Sequence, residues 1–256
     1  MITVKAMADK RAEIRIYGPI GQGFFDEGVT AETVRSALDE AGEVTDIDVF
    51  VNSPGGNVFD SIAIANILAA HPAQVHAQVE GLAASGASVI TSAADLVTMG
   101  NGSMLMVHSP MALFSGNAVE LRGMADTLDK VESGMLDIYH AKAGGERDDI
   151  LAMLKAETWM TAQEAVDGGF ADDIVSGKAD ASAWNGTEIA AMFKHAPESF
   201  TPQSSTAPQG ASLSAVAGAP KEEIVMKEQA PESVQATDKE IAEQARVAER
   251  ERVKAI

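Results

Sequence analysis

Cysteine is absent from the 256-residue sequence, and basic residues are scarce. Without cysteine the chain has no disulfide framework, no thiolate metal site and no cysteine nucleophile, which fits a reducing cytosol. Lys and Arg number 19 against 38 Asp and Glu, and the formal net charge is −19. Such a chain repels nucleic acid and anionic membranes. We therefore predict a cytoplasmic protein that binds neither nucleic acid nor membrane.

Long hydrophobic runs are also missing. No stretch reaches the roughly 20 apolar residues of a membrane span, and the first dozen residues carry charges without the apolar core of a signal peptide. Hydrophobic residues concentrate before position 177, whereas Pro, Ser, Ala, Gln and charged residues dominate later. This shift predicts one α/β domain over 1–177, a flexible linker over 178–222 and a charged helical tail over 223–256.

Hydrophobic periodicity in the first domain alternates between strand and helix. Strands are predicted at 12–17, 46–51, 74–79, 96–99, 103–107 and 170–175, and helices at 30–41, 58–70, 85–94, 119–143 and from 161 onwards. Thr161 and Glu164 have the spacing of a capping box, which marks the start of the last helix. The alternation predicts a largely parallel sheet flanked by helices.

A glycine-rich turn, Asn52-Ser-Pro-Gly-Gly56, follows the predicted strand 46–51. Ligands of open α/β sheets bind beyond the carboxyl ends of parallel strands. A glycine there lets the N–H of Gly56 point at a carbonyl oxygen without a side chain in the way. Pro-Gly-Gly is also an ordinary turn, so this motif gains meaning only from its neighbours.

Ser85 and His108 are the reactive pair that the sequence suggests. Ser85 stands among small residues at a predicted strand-to-helix turn, beside free backbone N–H groups at the positive end of a helix dipole. His108 ends the apolar run that starts at Met104. A helix-capping serine and a structural histidine are the ordinary interpretations. Together with Gly56, however, the pair has the parts of a serine acyl-transfer site: nucleophile, general base and oxyanion donor.

Four motifs carry a resemblance to a known family: Val-Asn-Ser-Pro-Gly-Gly from Val51, Gly-Leu-Ala-Ala-Ser-Gly-Ala from Gly81, Met-Val-His-Ser-Pro from Met106, and Trp-Met-Thr-Ala-Gln-Glu-Ala-Val-Asp-Gly-Gly-Phe-Ala-Asp from Trp159. In this order they resemble the proteolytic subunit of the Clp protease, and most of all its phage and prophage relatives, the head-maturation proteases. The resemblance covers roughly residues 12–176.

The resemblance implies a crotonase-type fold of repeated ββα units and a serine endopeptidase without a metal or organic cofactor. It assigns the nucleophile to Ser85, the base to His108, and the oxyanion hole to the N–H groups of Gly56 and Gly86. In the Clp subunit an aspartate stands two residues before the aromatic of the last motif, and here the matching residue is Glu157. A glutamate can orient and stabilise the imidazolium as an aspartate does. Asp148, Asp149 or no third residue remain as alternatives.

Partners follow from the same resemblance. Clp relatives form stacked rings, often of seven subunits, and the strongly apolar helix 58–70 with the striped helix 119–143 also predicts a homo-oligomer. The expected substrates are peptides or proteins, with capsid and scaffold proteins as candidates. An AAA+ unfoldase is a candidate partner. The linker and tail resemble the scaffolding segment that is often joined to a head-maturation protease.

Three other interpretations remain open at the level of sequence. A crotonase-fold acyl-CoA enzyme would share the glycine oxyanion hole but would use glutamates instead of a serine–histidine pair. A scaffold or assembly protein could carry an inert protease fold. A Ser/Lys enzyme of the signal-peptide-peptidase type is weaker, since no membrane anchor is predicted.

Overall fold

The structure, a computed structural model, describes residues 2–6, 10–22, 28–175 and 191–197. All of them lie in one unit of the chain, Met1–Thr206. The predicted helical tail, 223–256, lies outside the described residues. So does the predicted linker, 178–222, apart from its residues 191–197.

Strands and helices alternate as the periodicity predicts. The strands are β1 (Ile2–Ala6), β2 (Arg11–Tyr17), β3 (Asp46–Ser53), β4 (Gln74–Ala84), β5 (Leu96–Gly100), β6 (Met104–Val107), β7 (Thr158–Thr161) and β8 (Asp173–Val175). The helices are α1 (Ala31–Ala41), α2 (Val58–Ala69), α3 (Gly86–Thr91), α4 (Ala118–Ala143), α5 (Arg147–Ala156) and α6 (Ala162–Asp167).

These eight strands form one sheet with the order β1-β2-β3-β4-β5-β8, and β6 and β7 extend it beside β4. Pairing is parallel throughout, except that β1 runs antiparallel to β2 and β7 antiparallel to β6. The prediction of a largely parallel sheet flanked by helices is confirmed.

The central strand β4 changes its neighbour halfway along. Its residues His76–Val79 pair with β5, and its residues Leu82–Ala84 pair with β6. Because both pairings are parallel, β4 and β6 end at the same edge of the sheet. Their last residues therefore lie side by side at this edge.

The hydrophobic core lies between the sheet and the helices that cover it. Side chains alternate along β3, where Ile47, Val49 and Val51 are buried and the residues between them are partly exposed. Helix α2 packs Ile64 and Leu68 into the same core. Alternation with a period of two on the strands and of about 3.6 on the helices places these apolar faces opposite each other.

Helix boundaries follow local capping signals. Thr30 and Thr161, which begin two of the predicted helices, are N-caps whose side chains accept from the backbone N–H three residues on. Helix α4 is the longest of the described helices at 26 residues, and its fully buried residues all lie in its second half. The first half is exposed, with Val119 and Leu121 open to solvent.

The sequence prediction differs from the structure in a few elements. Strand β1, helix α5 and strand β7 were not predicted; β4 is longer and α3 shorter than expected. Among the described helices none is both long enough and apolar enough to cross a membrane.

Candidate active site

Ser85 occupies a strained turn between β4 and α3. Its backbone angles are φ 55° and ψ −123°, a conformation that residues with a side chain seldom adopt. Such a residue costs about 1–3 kcal/mol and persists only where its surroundings hold it. Ser85 is the N-cap of α3, but its hydroxyl makes no capping hydrogen bond. The hydroxyl is thus left available to another partner.

Buried hydrogen bonds hold this turn from below. The N–H of Ser85 donates to the carbonyl of Met106 at 3.0 Å, and the Ser88 hydroxyl lies 2.6 Å from the carbonyl of Ser85. The Tyr139 hydroxyl lies 2.8 Å from Ser88 Oγ. Burial raises the pKa of Tyr139 well above its usual value, although its hydrogen bond with Ser88 lowers it, so the phenol stays neutral. Ser88 and Tyr139 therefore form a buried support under Ser85.

Neither Ser88 nor Tyr139 was assigned a role in the site from the sequence. The periodicity of α4 could have placed Tyr139 on its buried face, since it lies four residues after the buried Met135. Its pairing with Ser88 joins residues 51 positions apart and has no signal in the sequence.

His108 follows the last residue of β6 and faces Ser85. Its Nε2 lies 2.8 Å from Ser85 Oγ. For the hydroxyl to donate to Nε2, the neutral ring must carry its proton on Nδ1. Burial lowers the pKa of His108, while the carboxylate of Glu157 raises it. With only 8% of its surface exposed, the imidazole is neutral at neutral pH and can accept a proton.

The Pro-Gly-Gly turn lies against the turn of Ser85. It is fixed by backbone bonds with Ile20, which donates to the carbonyl of Gly55 at 2.9 Å and accepts from the N–H of Asn57 at 2.8 Å. The N–H of Gly56, which lies between Gly55 and Asn57 in the chain, takes no part in these bonds. The φ of Gly56 is 151°, and a side chain there would collide with the backbone of Ile20, so this close approach requires glycine.

Gly86 brings a second amide to the same place. As the first residue of α3 it has no acceptor for its N–H inside the helix. A methyl group on Gly86 would lie 3.5 Å from the amide nitrogen of Gly56 and would collide with the Ser61 hydroxyl. The structure thus brings Gly56, Gly86, Ser85 and His108 together.

Glu157 lies directly after α5 in a left-handed conformation, with φ 52°. Its field raises the pKa of His108, but no described hydrogen bond joins its carboxylate to the imidazole. The backbone N–H of His195 donates to Oε1 at 2.6 Å and that of Lys194 to Oε2 at 3.1 Å. The indole N–H of Trp159 is 3.5 Å from Oε1.

The alternative acids lie elsewhere. Asp148 and Asp149 are exposed in the first turn of α5. With a rise of about 1.5 Å per residue they are roughly 12 Å along the helix from Glu157. Of the three candidates for the third position, the structure brings only Glu157 near His108.

A cavity of about 750 Å³ opens at Ser85 and His108. The predicted stripe of α4 forms one wall, with Met124, Leu128, Val131 and Met135. The wall also includes Met192 and Phe193, which the sequence analysis assigned to a flexible linker. No signal in the sequence points to their presence here. Among the described residues no cluster of His, Cys, Asp or Glu could hold a metal ion.

Comparison with known proteins places the chain in one family. The sequence model of the family described as Clp protease matches residues 1–178. An ATP-dependent Clp protease proteolytic subunit of Bacteroides fragilis is 31% identical over 156 residues, which are 57% of this chain and 73% of the relative. One from Ligilactobacillus salivarius is 32% identical over 146 residues, 55% of this chain and 73% of the relative. The proteolytic subunit 3 of Rhodococcus jostii is 31% identical over 138 residues, 53% and 68% of the two chains. The family match and the sheet together confirm the fold that the four motifs implied.

Proposed function

Because the chain belongs to the Clp protease family, and is therefore a serine peptidase, we propose that it cleaves peptide bonds within protein chains through Ser85 and His108. One observation carries the assignment of these residues: the 2.8 Å contact between Ser85 Oγ and His108 Nε2 at a strained turn. The family assignment replaces the acyl-CoA enzyme and the Ser/Lys enzyme as interpretations of the sequence.

The proposed reaction begins with attack of Ser85 Oγ on the carbonyl carbon of the substrate peptide. His108 Nε2 accepts the hydroxyl proton as the C–O bond forms, and then donates it to the leaving amine as the C–N bond breaks. A water molecule, activated by the same nitrogen, hydrolyses the acyl-enzyme and restores the Ser85 hydroxyl. The lowered pKa of His108 keeps the imidazole in the basic form needed for the first step.

The N–H groups of Gly56 and Gly86 are the proposed oxyanion hole. Both amides adjoin Ser85 and neither is used by the backbone bonds that fix its turn. They can donate to the oxygen that becomes negative as the tetrahedral intermediate forms. Since both come from rigid turns, they need no rearrangement during the reaction.

Glu157 is the proposed third residue. Its carboxylate stabilises the imidazolium electrostatically, which agrees with its effect on the pKa of His108. The two backbone amides that donate to the carboxylate hold it in position. In this role Glu157 does not need to accept a proton.

The cavity at Ser85 supports a preference for an apolar substrate side chain. Among its described lining residues His108 is the only titratable one, and the walls carry methionine, leucine, valine and phenylalanine. An apolar side chain buried there leaves water at about 25 cal/mol per Å². A carboxylate or ammonium group would lose its hydration without finding a partner.

Assembly and supply of substrate are proposed from relatives and surface together. The relatives are named ATP-dependent, and we propose that this chain also receives unfolded protein from an ATP-driven unfoldase. Five large apolar residues around the start of α4 are exposed, and we propose that they are covered in a homo-oligomeric ring: Met111, Leu113, Phe114, Val119 and Leu121.

The proposed biological role is cleavage of capsid or scaffold proteins during phage head maturation, in the cytoplasm of the host. Its support is the likeness of the four motifs to head-maturation proteases and the acidic, low-complexity sequence after residue 196. Co-expression with candidate capsid proteins, compared between wild type and Ser85→Ala by mass spectrometry, tests this role. Identical capsid fragments in both would contradict it.

The chemical assignment has a direct test. A fluorophosphonate probe reacts covalently with an activated serine, so wild type should be labelled at Ser85 and Ser85→Ala should not. Ser36→Ala is the matched control, because Ser36 is exposed on α1 and does not line the cavity at Ser85 and His108. Labelling that persists in Ser85→Ala would overturn the assignment. An unlabelled wild-type protein would instead support the inert scaffold.

A further inference from the structure

Residues 191–197 contact the active site although they lie beyond the 1–178 stretch matched by the family model. This segment, called here the C-terminal clasp (Ala191–Pro197), touches the site at two points. One is the carboxylate of Glu157, and the other is the ring of His108.

At the first point the clasp binds Glu157 through its backbone. Each carboxylate oxygen accepts one N–H: Oε1 from His195 at 2.6 Å and Oε2 from Lys194 at 3.1 Å. The His195 ring adds a contact of 3.1 Å between its Nδ1 and the carbonyl of Ala156. Hydrogen bonds to a carboxylate are stronger than those between neutral groups, so this pair of amides fixes the position of the carboxylate.

At the second point Phe193 packs against the general base. Its ring meets the His108 ring edge to face, with centroids 5.7 Å apart and an interplanar angle of 85°. It meets Trp159 in the same manner at 5.4 Å and 78°. Edge-to-face contacts of this kind stabilise ring orientation beyond the burial of area. Phe193 therefore removes the imidazole from water and limits its rotation.

The clasp also leaves the substrate cavity open. Met192 and Phe193 form part of its wall, yet about 750 Å³ remains free beside Ser85. A segment that blocked the site would fill this space. The clasp instead borders it, which favours a supporting role over an inhibitory one.

We propose that the C-terminal clasp is a working part of the active site: the amides of Lys194 and His195 position the Glu157 carboxylate beside His108, and Phe193 shields the imidazole. The proposal rests on the function proposed above for Ser85 and His108. Phe193, Lys194 and His195 are positioning residues, since they act through Glu157 and His108.

The two contacts have opposite effects on the base. Burial, to which Phe193 contributes, lowers the pKa of His108, and the Glu157 carboxylate raises it. Glu157 is the charged group whose field acts on His108, whereas the titratable side chains of the clasp itself, Lys194 and His195, are exposed. Variants at the two points should therefore shift the pH profile in opposite directions, which a merely structural role would not do.

The experiment compares His195→Pro with His195→Ala in the full chain. Proline lacks the N–H that donates to Glu157, whereas alanine keeps it and loses only the ring. We expect peptide turnover in His195→Pro to be about tenfold below that in His195→Ala, from the loss of one charge-assisted hydrogen bond. The acidic limb of its pH–rate profile should move to lower pH, because a Glu157 carboxylate held less firmly beside His108 raises the pKa of His108 less.

Phe193→Ala, with Phe193→Leu as its matched control, tests the second contact independently. Relief of burial should raise the pKa of His108 and move the acidic limb to higher pH, with a smaller shift in the leucine variant. His195 is exposed and Phe193 is partly buried, so thermal denaturation is used to check that each variant folds.

The outcomes separate this proposal from the one on which it rests. Wild type that is not labelled at Ser85 refutes the proposed function. The clasp proposal alone is refuted if wild type is labelled but the paired variants do not differ. That outcome is equal turnover and pH profiles in His195→Pro and His195→Ala, and in Phe193→Ala and Phe193→Leu. Turnover faster than wild type in His195→Pro or Phe193→Ala also refutes the clasp proposal, since that result would identify residues 191–197 as an inhibitory segment.

Discussion

Replacing Ser88 by alanine should destabilise the turn that carries the nucleophile Ser85. The Ser88 hydroxyl has one proton, which it donates to the carbonyl of Ser85 at 2.6 Å, and it accepts from the Tyr139 hydroxyl at 2.8 Å. In Ser88→Ala the Tyr139 hydroxyl loses this partner, whereas the carbonyl of Ser85 keeps the backbone N–H groups of Ser88 and Val89 at 3.0 and 3.3 Å. The Tyr139 hydroxyl is 3.5 Å from the carbonyl of Ser85, too far for a normal O–H···O bond, and the tyrosine is completely buried.

The magnitude follows from what each change leaves behind. A buried polar group without a partner costs about 1–3 kcal/mol, so we expect Ser88→Ala to lower the free energy of unfolding by roughly 2–3 kcal/mol. Tyr139→Phe removes only one donor and leaves Ser88 bound to Ser85, so about 1 kcal/mol should be lost. In the double variant no phenol is left without a partner. Its loss should not exceed that of Ser88→Ala alone, so the two single losses are not additive and the coupling energy is at least about 1 kcal/mol.

Urea denaturation of wild type, both single variants and the double variant measures this coupling. The rate of fluorophosphonate labelling at Ser85 is the second readout. It should fall about tenfold in Ser88→Ala, because a turn strained by about 1–3 kcal/mol loses one of the hydrogen bonds that hold it. Additive losses of stability together with unchanged labelling would refute the view that Ser88 and Tyr139 support the nucleophile.

Three further predictions concern separate parts of the molecule. Burial lowers and Glu157 raises the pKa of His108, so Glu157→Gln should move the acidic limb of kcat/KM to lower pH while lowering its maximum; an unmoved limb would exclude an electrostatic role. Gly123→Ala, at an exposed position of α4 with open space around it, should raise stability by about 0.5–1 kcal/mol in thermal denaturation, and any loss would contradict this. Burial raises the pKa of Asp172, but hydrogen bonds from Lys142 and from a backbone N–H lower it by more than burial raises it. The pKa of Asp172 in the folded protein is therefore below its usual value. The stability lost in Asp172→Asn should therefore be present at pH 7 and shrink as the pH falls below about 4, when measured by urea denaturation across this range.

Local signals in the sequence predict much of the fold. The capping residues Thr30 and Thr161 mark helix starts, and both are N-caps in the structure. The period-two pattern of β3 places Ile47, Val49 and Val51 on one buried face. These elements were predictable because capping and amphipathic periodicity depend on residues a few positions apart.

Helix α5 was missed although it carries a usable signal. Ile150 and Leu154, four residues apart, are both buried on its inner face. The helix ends without glycine, because Glu157 itself adopts the left-handed conformation that normally marks a C-terminal cap. A short helix without a familiar stop signal is easily taken for a loop.

The site was only partly predictable for a different reason. Ser85, His108 and Gly56 stand in recognisable local patterns at strand ends. The contacts of Glu157 with Lys194 and His195 join residues 37 and 38 positions apart through backbone N–H groups, which every residue except proline possesses. Side-chain identity carries no record of such a bond, so the clasp could be found only in the structure.

The parallel pairing of β4 with β6 sets the distance between Ser85 and His108. Ala84 lies opposite Met106, and Ser85 and His108 continue from the two strand ends, so their separation derives from the spacing of neighbouring strands, about 4.8 Å. Insertions in the connections outside this pair leave that distance unchanged. A slip of one residue in the pairing would turn His108 to the opposite face of the sheet. The register of β4 and β6 thus determines whether the general base can contact the nucleophile. The loops around the site can vary in length without altering this contact.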